Sequence, residues 1–316
     1  MSKILSYITL LRPQQYYKNL LIFLGIIFSA NIFKFNFYPP LIIGFFTLSF
    51  VSSISYIIND WKDIEADRNH PEKKFRPLAS GNVSKMEAVC IVIFLLLVIS
   101  VLVIILQIEA KYKFLFIVIL LAIFLTSQFY SLFFKNKAFY DVIFISLNYV
   151  WRALAGVIII AVTLSPWLFF LGFLFAMFLA LSKRKGELFL LKENAPKHKK
   201  VFEIYTNQML DYYILIVSGT LLVSYSIYVV ESVINVSSFS RFQNPSIMLL
   251  TLPIVTIILM RLIYLETSGS EKLRKAELLF FDKEILINGA VIGLLTFIAL
   301  YWNSLGLETL FKHIYS

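Results

Sequence analysis

The sequence predicts an all-α membrane protein with about nine transmembrane helices, and three observations carry that prediction. Of the 316 residues, 59% are hydrophobic and only 15% are charged, where soluble domains carry about a quarter. The apolar residues fall into runs that can cross a bilayer, separated by short polar breaks. The positive charges sort onto alternate sides of those runs. With 31 Phe and 17 Tyr beside 11 Gly and 9 Pro, the composition excludes a disordered chain, a fibre and a water-soluble globule.

The runs place spans near residues 19–33, 41–58, 88–106, 114–134, 139–162, 167–181, 209–230, 245–265 and 285–305. The first is short. The fourth and fifth are separated only by Lys135-Asn136-Lys137. The first run begins after Arg12 and Lys18 and leads into another span, so no cleavable leader is expected. No linker rich in Gly, Ser or Pro interrupts the chain, and residues 1–316 read as one integral membrane domain. Cys90 is the one cysteine, so the fold contains no internal disulfide.

With these spans, 23 of the 29 Lys and Arg lie on the N-terminal side of the membrane, 5 lie opposite, and Arg152 is inside a span. The positive-inside rule puts the N-terminus and the loops after spans two, four, six and eight in the cytoplasm. The net charge of +10 is then mostly membrane asymmetry, and nucleic acid is not an expected partner. Histidines are scattered without zinc spacing, and glycines are too sparse for a P-loop or a dinucleotide fingerprint.

The second span leaves the membrane through Asn59-Asp60-Trp61-Lys62-Asp63-Ile64-Glu65-Ala66-Asp67-Arg68. If the helix continues, Asp60, Asp63 and Asp67 share one face. Three carboxylates on one face repel unless a cation joins them. Mg²⁺ suits them, because it takes one or two carboxylates together with substrate phosphate oxygens. Asn59 is placed to orient a carboxylate or a phosphate. Arg68, Lys73, Lys74 and Arg76 follow at once. Carboxylates for a metal beside cations for phosphate suit a Mg²⁺-diphosphate, whose charge grows as it departs.

The string Asn59-Asp60-x-x-Asp63-x-x-x-Asp67 resembles the first aspartate-rich motif of the UbiA superfamily of intramembrane prenyltransferases. The resemblance implies nine helices around a central cavity open to lipid, with Asp60, Asp63 and Asp67 as catalytic metal ligands for Mg²⁺ and a diphosphate. The superfamily's second aspartate-rich motif, after the sixth span, is missing. Leu181-Ser182-Lys183-Arg184-Lys185-Gly186-Glu187-Leu188 stands there, with seven Lys and Arg between Lys183 and Lys200. Such a loop holds phosphate rather than a second metal cluster.

Arg12-Pro13-Gln14-Gln15-Tyr16-Tyr17-Lys18-Asn19, Asp67-Arg68-Asn69-His70-Pro71, Arg76-Pro77-Leu78-Ala79-Ser80-Gly81, Trp151-Arg152-Ala153-Leu154-Ala155-Gly156 and Lys183-Arg184 with Glu187-Leu188 are similar to one branch of that superfamily. The branch is that of the decaprenyl-phosphate phosphoribosyltransferases. It departs at Tyr16, where Trp is expected, and at Lys74, where Arg is common. The resemblance implies a bacterial inner-membrane enzyme with phosphoribosyl diphosphate (PRPP) as donor and a polyprenyl phosphate as acceptor. It leaves the oligomeric state open, a homo-oligomer included. Two phosphorylated substrates account for the basic cytoplasmic loops, whose field attracts anions.

Three polar residues of the fifth span, Asp141, Asn148 and Arg152, fall within a narrow helical stripe. Ionisable groups in spans face a protein interior or a wet cavity. Arg152 is a candidate for a phosphate, and Asp141 for ribose hydroxyls or a metal; pairing with other helices is the structural alternative for both. Lys18 and Asn19, which open the first span, complete the candidate substrate-binding set with Asn59, Arg68, Lys73, Lys74, Arg76, Lys183 and Arg184. The expected reaction is a single inverting displacement at C1 of the ribose by the lipid phosphate, whose oxygen is already anionic and needs no strong base. The competing readings are prenyl transfer to an aromatic acceptor and a non-enzymatic transporter or lipid-binding protein. Clustering of the charges on one membrane face argues against a translocation path.

Overall fold

A computed structural model describes residues 2–69, 72–163, 165–191, 200–234, 241–268 and 281–308. Among these residues the fold is all-helical. Eight helices are long and apolar enough to cross a membrane: Phe35–Lys62, Lys85–Ile105, Ala110–Phe134, Tyr140–Ile159, Pro166–Leu190, Asn207–Ile234, Pro245–Thr267 and Lys283–Tyr301. They correspond to the second to ninth expected spans.

The first expected span takes another form. Helix α1 (Lys3–Leu11) ends at Arg12, a left-handed residue with φ 54°. A 3₁₀ helix, Pro13–Phe23, follows, and then a short α2, Leu24–Phe28. A 3₁₀ segment rises about 2.0 Å per residue against 1.5 Å for an α-helix, so a short run reaches further. Long 3₁₀ runs are rare because their hydrogen bonds are poorer. Here a close crossing accompanies one. A Cβ on Gly156 would lie 1.8 Å from the Ile22 carbonyl oxygen, and a Cβ on Gly25 would lie 3.1 Å from the Val157 nitrogen.

The described residues fall into two compact units. One lies within Met1–Ile27, Asn31–Phe134 and Leu147–Val162, the other within Phe28–Ala30, Lys135–Ser146 and Thr163–Ser316. The first unit is organised around α3 (Tyr38–Lys62), which packs against α1, the 3₁₀ segment, α5 (Lys85–Ile105) and α6 (Ala110–Phe129). Its position is central: 61% of its apolar window is buried, against 11% for α5. The serines of α3 make that packing possible, because Ser49, Ser53 and Ser55 return their hydroxyls to the carbonyls four residues back. A small side chain that satisfies itself lets neighbours approach without stranding a polar group. Beneath lies a core of Leu10, Ile54, Ile57, Ile64, Leu78, Val83, Ala88 and Leu95.

Helix α5 starts with a capping box. The Ser84 hydroxyl accepts from the Glu87 amide at 3.2 Å, and the Glu87 carboxylate accepts from the Ser84 amide at 2.7 Å. Glu87 also accepts from Tyr7 at 2.9 Å and pairs with Lys3, which ties α1 to this helix start. In the second unit α8 (Pro166–Leu191) packs on α9 (Asn207–Ile234), and α10 (Thr251–Thr267) on α11 (Lys283–Tyr301). Asp282 caps α11 through the Ile285 amide and receives Arg261. Helix α7 (Tyr140–Ile159) contributes residues to both units.

Candidate functional site

The aspartate run forms where α3 ends. The helix does not continue unbroken: α3 stops at Lys62, Asp63 caps it with φ −95° and ψ 9°, and α4 covers Ile64–Arg68. The Asp63 amide still donates to the Asn59 carbonyl at 3.0 Å, and the Asp67 amide to the Asp63 carbonyl at 2.7 Å. These bonds carry the helical register across the break, so Asp60 and Asp67 keep a common face.

Two arginines meet them there. Arg76 Nη1 donates to Asp60 Oδ1 at 3.0 Å and to Asp67 Oδ2 at 2.7 Å. Arg12 Nη2 donates to Asp60 Oδ1 at 2.5 Å. Both carboxylates are 3% exposed, whereas the arginines are 22% and 29% exposed. Burying two carboxylates is tolerable only because each is paired. The left-handed turn at Arg12 directs the chain from α1 into Pro13, and its guanidinium lies 5.0 Å over the Tyr56 ring.

The arginines face an open cleft of about 340 Å³ lined by Thr9, Arg12, Gln14, Gln15, Asp60, Glu72, Phe75, Arg76 and Pro77. That volume is at the small end for small-molecule sites. Its lining is mostly polar or charged, with Phe75 and Pro77 the apolar exceptions.

The expected three-carboxylate cluster is thus a cluster of two carboxylates and two guanidinium groups. Among the described residues, no three His, Cys, Asp or Glu side chains come together as metal ligands. Asp63 sits half-buried at the helix break. Asn59 adjoins the pair, and its Oδ1 is buried with no hydrogen-bond partner among the described residues. Arg68 is anchored away from the carboxylates, with Nε on the Ala79 carbonyl at 3.1 Å. Lys73 and Lys74 are exposed, and Lys74 lies 5.2 Å over the Phe75 ring. Lys18 is half-buried, 5.8 Å over the ring of Tyr17.

Asn19 and Arg152 are brought together in the first unit, both buried. Arg152 Nε donates to Asn19 Oδ1 at 2.8 Å, and Asn19 Nδ2 donates to Ser49 Oγ at 3.0 Å. Arg152 Nη1 also donates to the Asn148 carbonyl. The pair holds the 3₁₀ segment against α7 one turn from Gly156. Leu substitutions at the two positions are expected to be non-additive in thermal unfolding. Each alone strands a buried polar partner, at about 1.5–3 kcal/mol, and the double variant costs less than their sum.

In the second unit Asp141 and Arg184 bind each other. Arg184 Nε donates to Asp141 Oδ2 at 2.7 Å, and Nη1 to Glu187 Oε2 at 2.8 Å. The Tyr205 hydroxyl donates to Asp141 Oδ1 at 2.8 Å and accepts from the Phe139 amide at 2.7 Å. Lys185 pairs with Asp211 and Glu266, while Lys183 is exposed. Residues 192–199 of this basic loop lie outside the described residues, as do His70 and Pro71.

Burial, and then the charge of Asp141, raise the pKa of the Tyr205 hydroxyl. A folded pKa above the unfolded value near 10 means that the phenol's contribution is complete below about pH 10 and lost only above it. Tyr205→Phe is therefore expected to cost about 1–3 kcal/mol by thermal unfolding, by the same amount from pH 6 to pH 9.

Sequence reasoning did not name Arg12 as a site residue, although it quoted the string that contains it. Thr9, Gln14, Gln15, Glu72 and Phe75 were also not foreseen as cleft residues. Arg12 and Asp60 are 48 positions apart, and no periodicity connects them. The one local signal is an arginine between a helix end and a proline.

The UbiA prenyltransferase family pattern matches residues 20–283. The decaprenyl-phosphate phosphoribosyltransferase of Mycolicibacterium smegmatis is 30% identical over 222 residues, covering 69% of this chain and 68% of that protein. Its namesake from Corynebacterium glutamicum is 26% identical over 221 residues, 69% of this chain and 65% of that one. Among solved structures, a UbiA homolog from Archaeoglobus fulgidus bound to GPP and Mg²⁺ has a TM-score of 0.63 at 17% identity, over 93% of this chain and 99% of that chain. A digeranylgeranylglyceryl phosphate synthase gives 0.65 at 18%, over 95% and 99%. The structures establish a shared fold, and the family pattern covers most of the sequence. The chain belongs to the UbiA prenyltransferase family, a family of membrane transferases.

Proposed function

We propose that this chain moves 5-phosphoribosyl from PRPP to a polyprenyl phosphate, giving a polyprenyl-phosphoryl-5-phosphoribose and diphosphate. The observation that carries the reading is the cleft. Thr9, Gln14, Gln15 and two arginines beside the aspartate pair suit a hydroxyl-rich, multiply phosphorylated donor better than a prenyl chain, which needs an apolar channel. Two further supports are the names of the curated relatives and the absence of a second aspartate motif after the sixth span, where Lys183 is exposed while Arg184 and Lys185 are held by carboxylates.

The residues fit a divalent cation. Asp60 Oδ1 and Asp67 Oδ2 converge on one point, within 3.0 Å of a single cationic nitrogen, and the side-chain Oδ1 of Asn59, the residue before Asp60, is buried without a hydrogen-bond partner among the described residues. All are hard oxygen donors of the kind Mg²⁺ takes, with phosphate completing the shell. In this proposal Asp60 and Asp67 hold Mg²⁺, and Asp63, which lies outside that pair among the described residues, would have to turn inward to join as a further ligand. Bound there, the ion would neutralise charge on the departing diphosphate.

Arg12 and Arg76 bind the donor phosphates, with the exposed Lys73 and Lys74 on the same loop, while Arg68 holds that loop in place through the Ala79 carbonyl. Lys18 and Lys183 supply cations toward the anionic substrates. Asn19 and Arg152 position the 3₁₀ wall, and Asp141 and Arg184 hold the start of α7 to α8. The lipid phosphate oxygen attacks C1 of the ribose as the C1–diphosphate bond breaks. No proton moves, and a single displacement gives inversion. The whole chain acts as one membrane domain, with its N-terminus and cleft on the cytoplasmic side of the inner membrane.

The test is donor choice. Purified protein with Mg²⁺ is expected to consume labelled PRPP only when polyprenyl phosphate is present, and to leave a labelled prenyl diphosphate untouched. Consumption of the prenyl diphosphate alone, with an aromatic acceptor, would make the chain an aromatic prenyltransferase instead.

A further inference from the structure

We propose that Arg76, with Arg12, is an exchangeable counter-ion: it occupies the cation position between Asp60 and Asp67 until a divalent metal takes its place, and then turns to the incoming diphosphate. This rests on the reading that these two aspartates hold the metal. Arg76 Nη1 is within 3.0 Å of both carboxylates, at the point where those oxygens converge. A metal bridging the same oxygens and this guanidinium cannot occupy that point together, and their charges repel.

The exchange needs only a side-chain rotation. The Arg76 backbone is pinned on both sides, its amide on the Lys73 carbonyl at 2.9 Å and its carbonyl receiving the Ser80 amide at 2.9 Å. Its side chain is 29% exposed and lines the cleft, as does that of Arg12. The buried carboxylates stay put while the partly exposed cations move. Arg68, fixed to the Ala79 carbonyl, is not a candidate for this motion.

Charge balance gives the consequence. Two carboxylates and two arginines are neutral together, so a metal alone adds uncompensated positive charge, and a diphosphate alone finds its arginines already paired. Binding both together relieves both costs. Metal and diphosphate therefore promote each other's binding, and by linkage the effect is reciprocal. Such a site discourages empty loading by either partner.

The probe is Mn²⁺, read by electron paramagnetic resonance on the full chain in detergent without any phosphate. Arg76→Gln is expected to bind Mn²⁺ at least tenfold more tightly than the unmodified chain, and Arg12→Gln more tightly by a smaller factor. A second measurement needs no variant. Site-resolved phenylglyoxal labelling of Arg76 in the unmodified protein is expected to rise with Mn²⁺ alone, then fall when inorganic pyrophosphate is added with Mn²⁺ in excess. Unchanged or weaker Mn²⁺ binding by Arg76→Gln, or labelling that ignores Mn²⁺, overturns the exchange. Neither measurement uses PRPP or lipid. A wrong donor assignment would therefore leave these results standing, and a failed exchange would leave PRPP consumption standing.

Discussion

Asp60→Asn is expected to lower kcat/KM by about 10³-fold or more while the chain still folds. The carboxamide keeps the size and one acceptor oxygen but removes the charge on which Arg12 and Arg76 converge. Losing one well-placed electrostatic group at a transition state costs about 10²–10³, and losing the ion's position adds to it. The structural cost is smaller than for a fully buried pair, because both arginines are partly exposed and reach water: about 1–3 kcal/mol in thermal unfolding. Asp67→Asn, which leaves Arg12 its partner, should lose activity comparably with less loss of stability. Asp63→Asn is expected to abolish transfer with folding retained. Full activity of any of the three without divalent metal contradicts the role assigned to the ion.

Gly156→Ala is the other large effect, and it acts on the fold. The added Cβ would stand 1.8 Å from the Ile22 carbonyl oxygen, 2.7 Å from its carbon and 3.1 Å from its Cα. All three are backbone atoms, so no rotamer relieves the clash. The 3₁₀ segment must move off α7, opening the Arg152–Asn19 contact one turn away. The expected loss is about 3 kcal/mol or more, at the upper end for overpacking. It is read as a lower unfolding temperature in detergent or as failure to accumulate in membranes. Gly172→Ala, whose Cβ meets nothing within 4 Å, should change neither.

Much of this was readable in the residues. Eight of nine spans follow from apolar runs, because in a bilayer every backbone group must be bonded within its own helix. The aspartate face was legible because its spacing is helical, and Arg76 because it follows closely. The first span was not, since a 3₁₀ path set by a glycine crossing 134 positions later leaves no periodic trace. Arg12 was hidden by distance along the chain. Asp141 and Arg152 were legible as polar residues inside a span, and Arg184 as a cation of a basic loop, but an arginine looks the same in sequence whether it awaits a phosphate or already holds a carboxylate. Only the fold distinguishes Arg76, which opens on a cleft, from Arg184, which is 2% exposed and bonded to Asp141 and Glu187.

The most direct test is the mass of the lipid product. Purified protein with PRPP, Mg²⁺ and a short polyprenyl phosphate should yield a lipid heavier than the acceptor by one phosphoribosyl group, with diphosphate released in equal amount. No such lipid, with PRPP intact and a prenyl group instead transferred from a prenyl diphosphate to an aromatic acceptor, would contradict it.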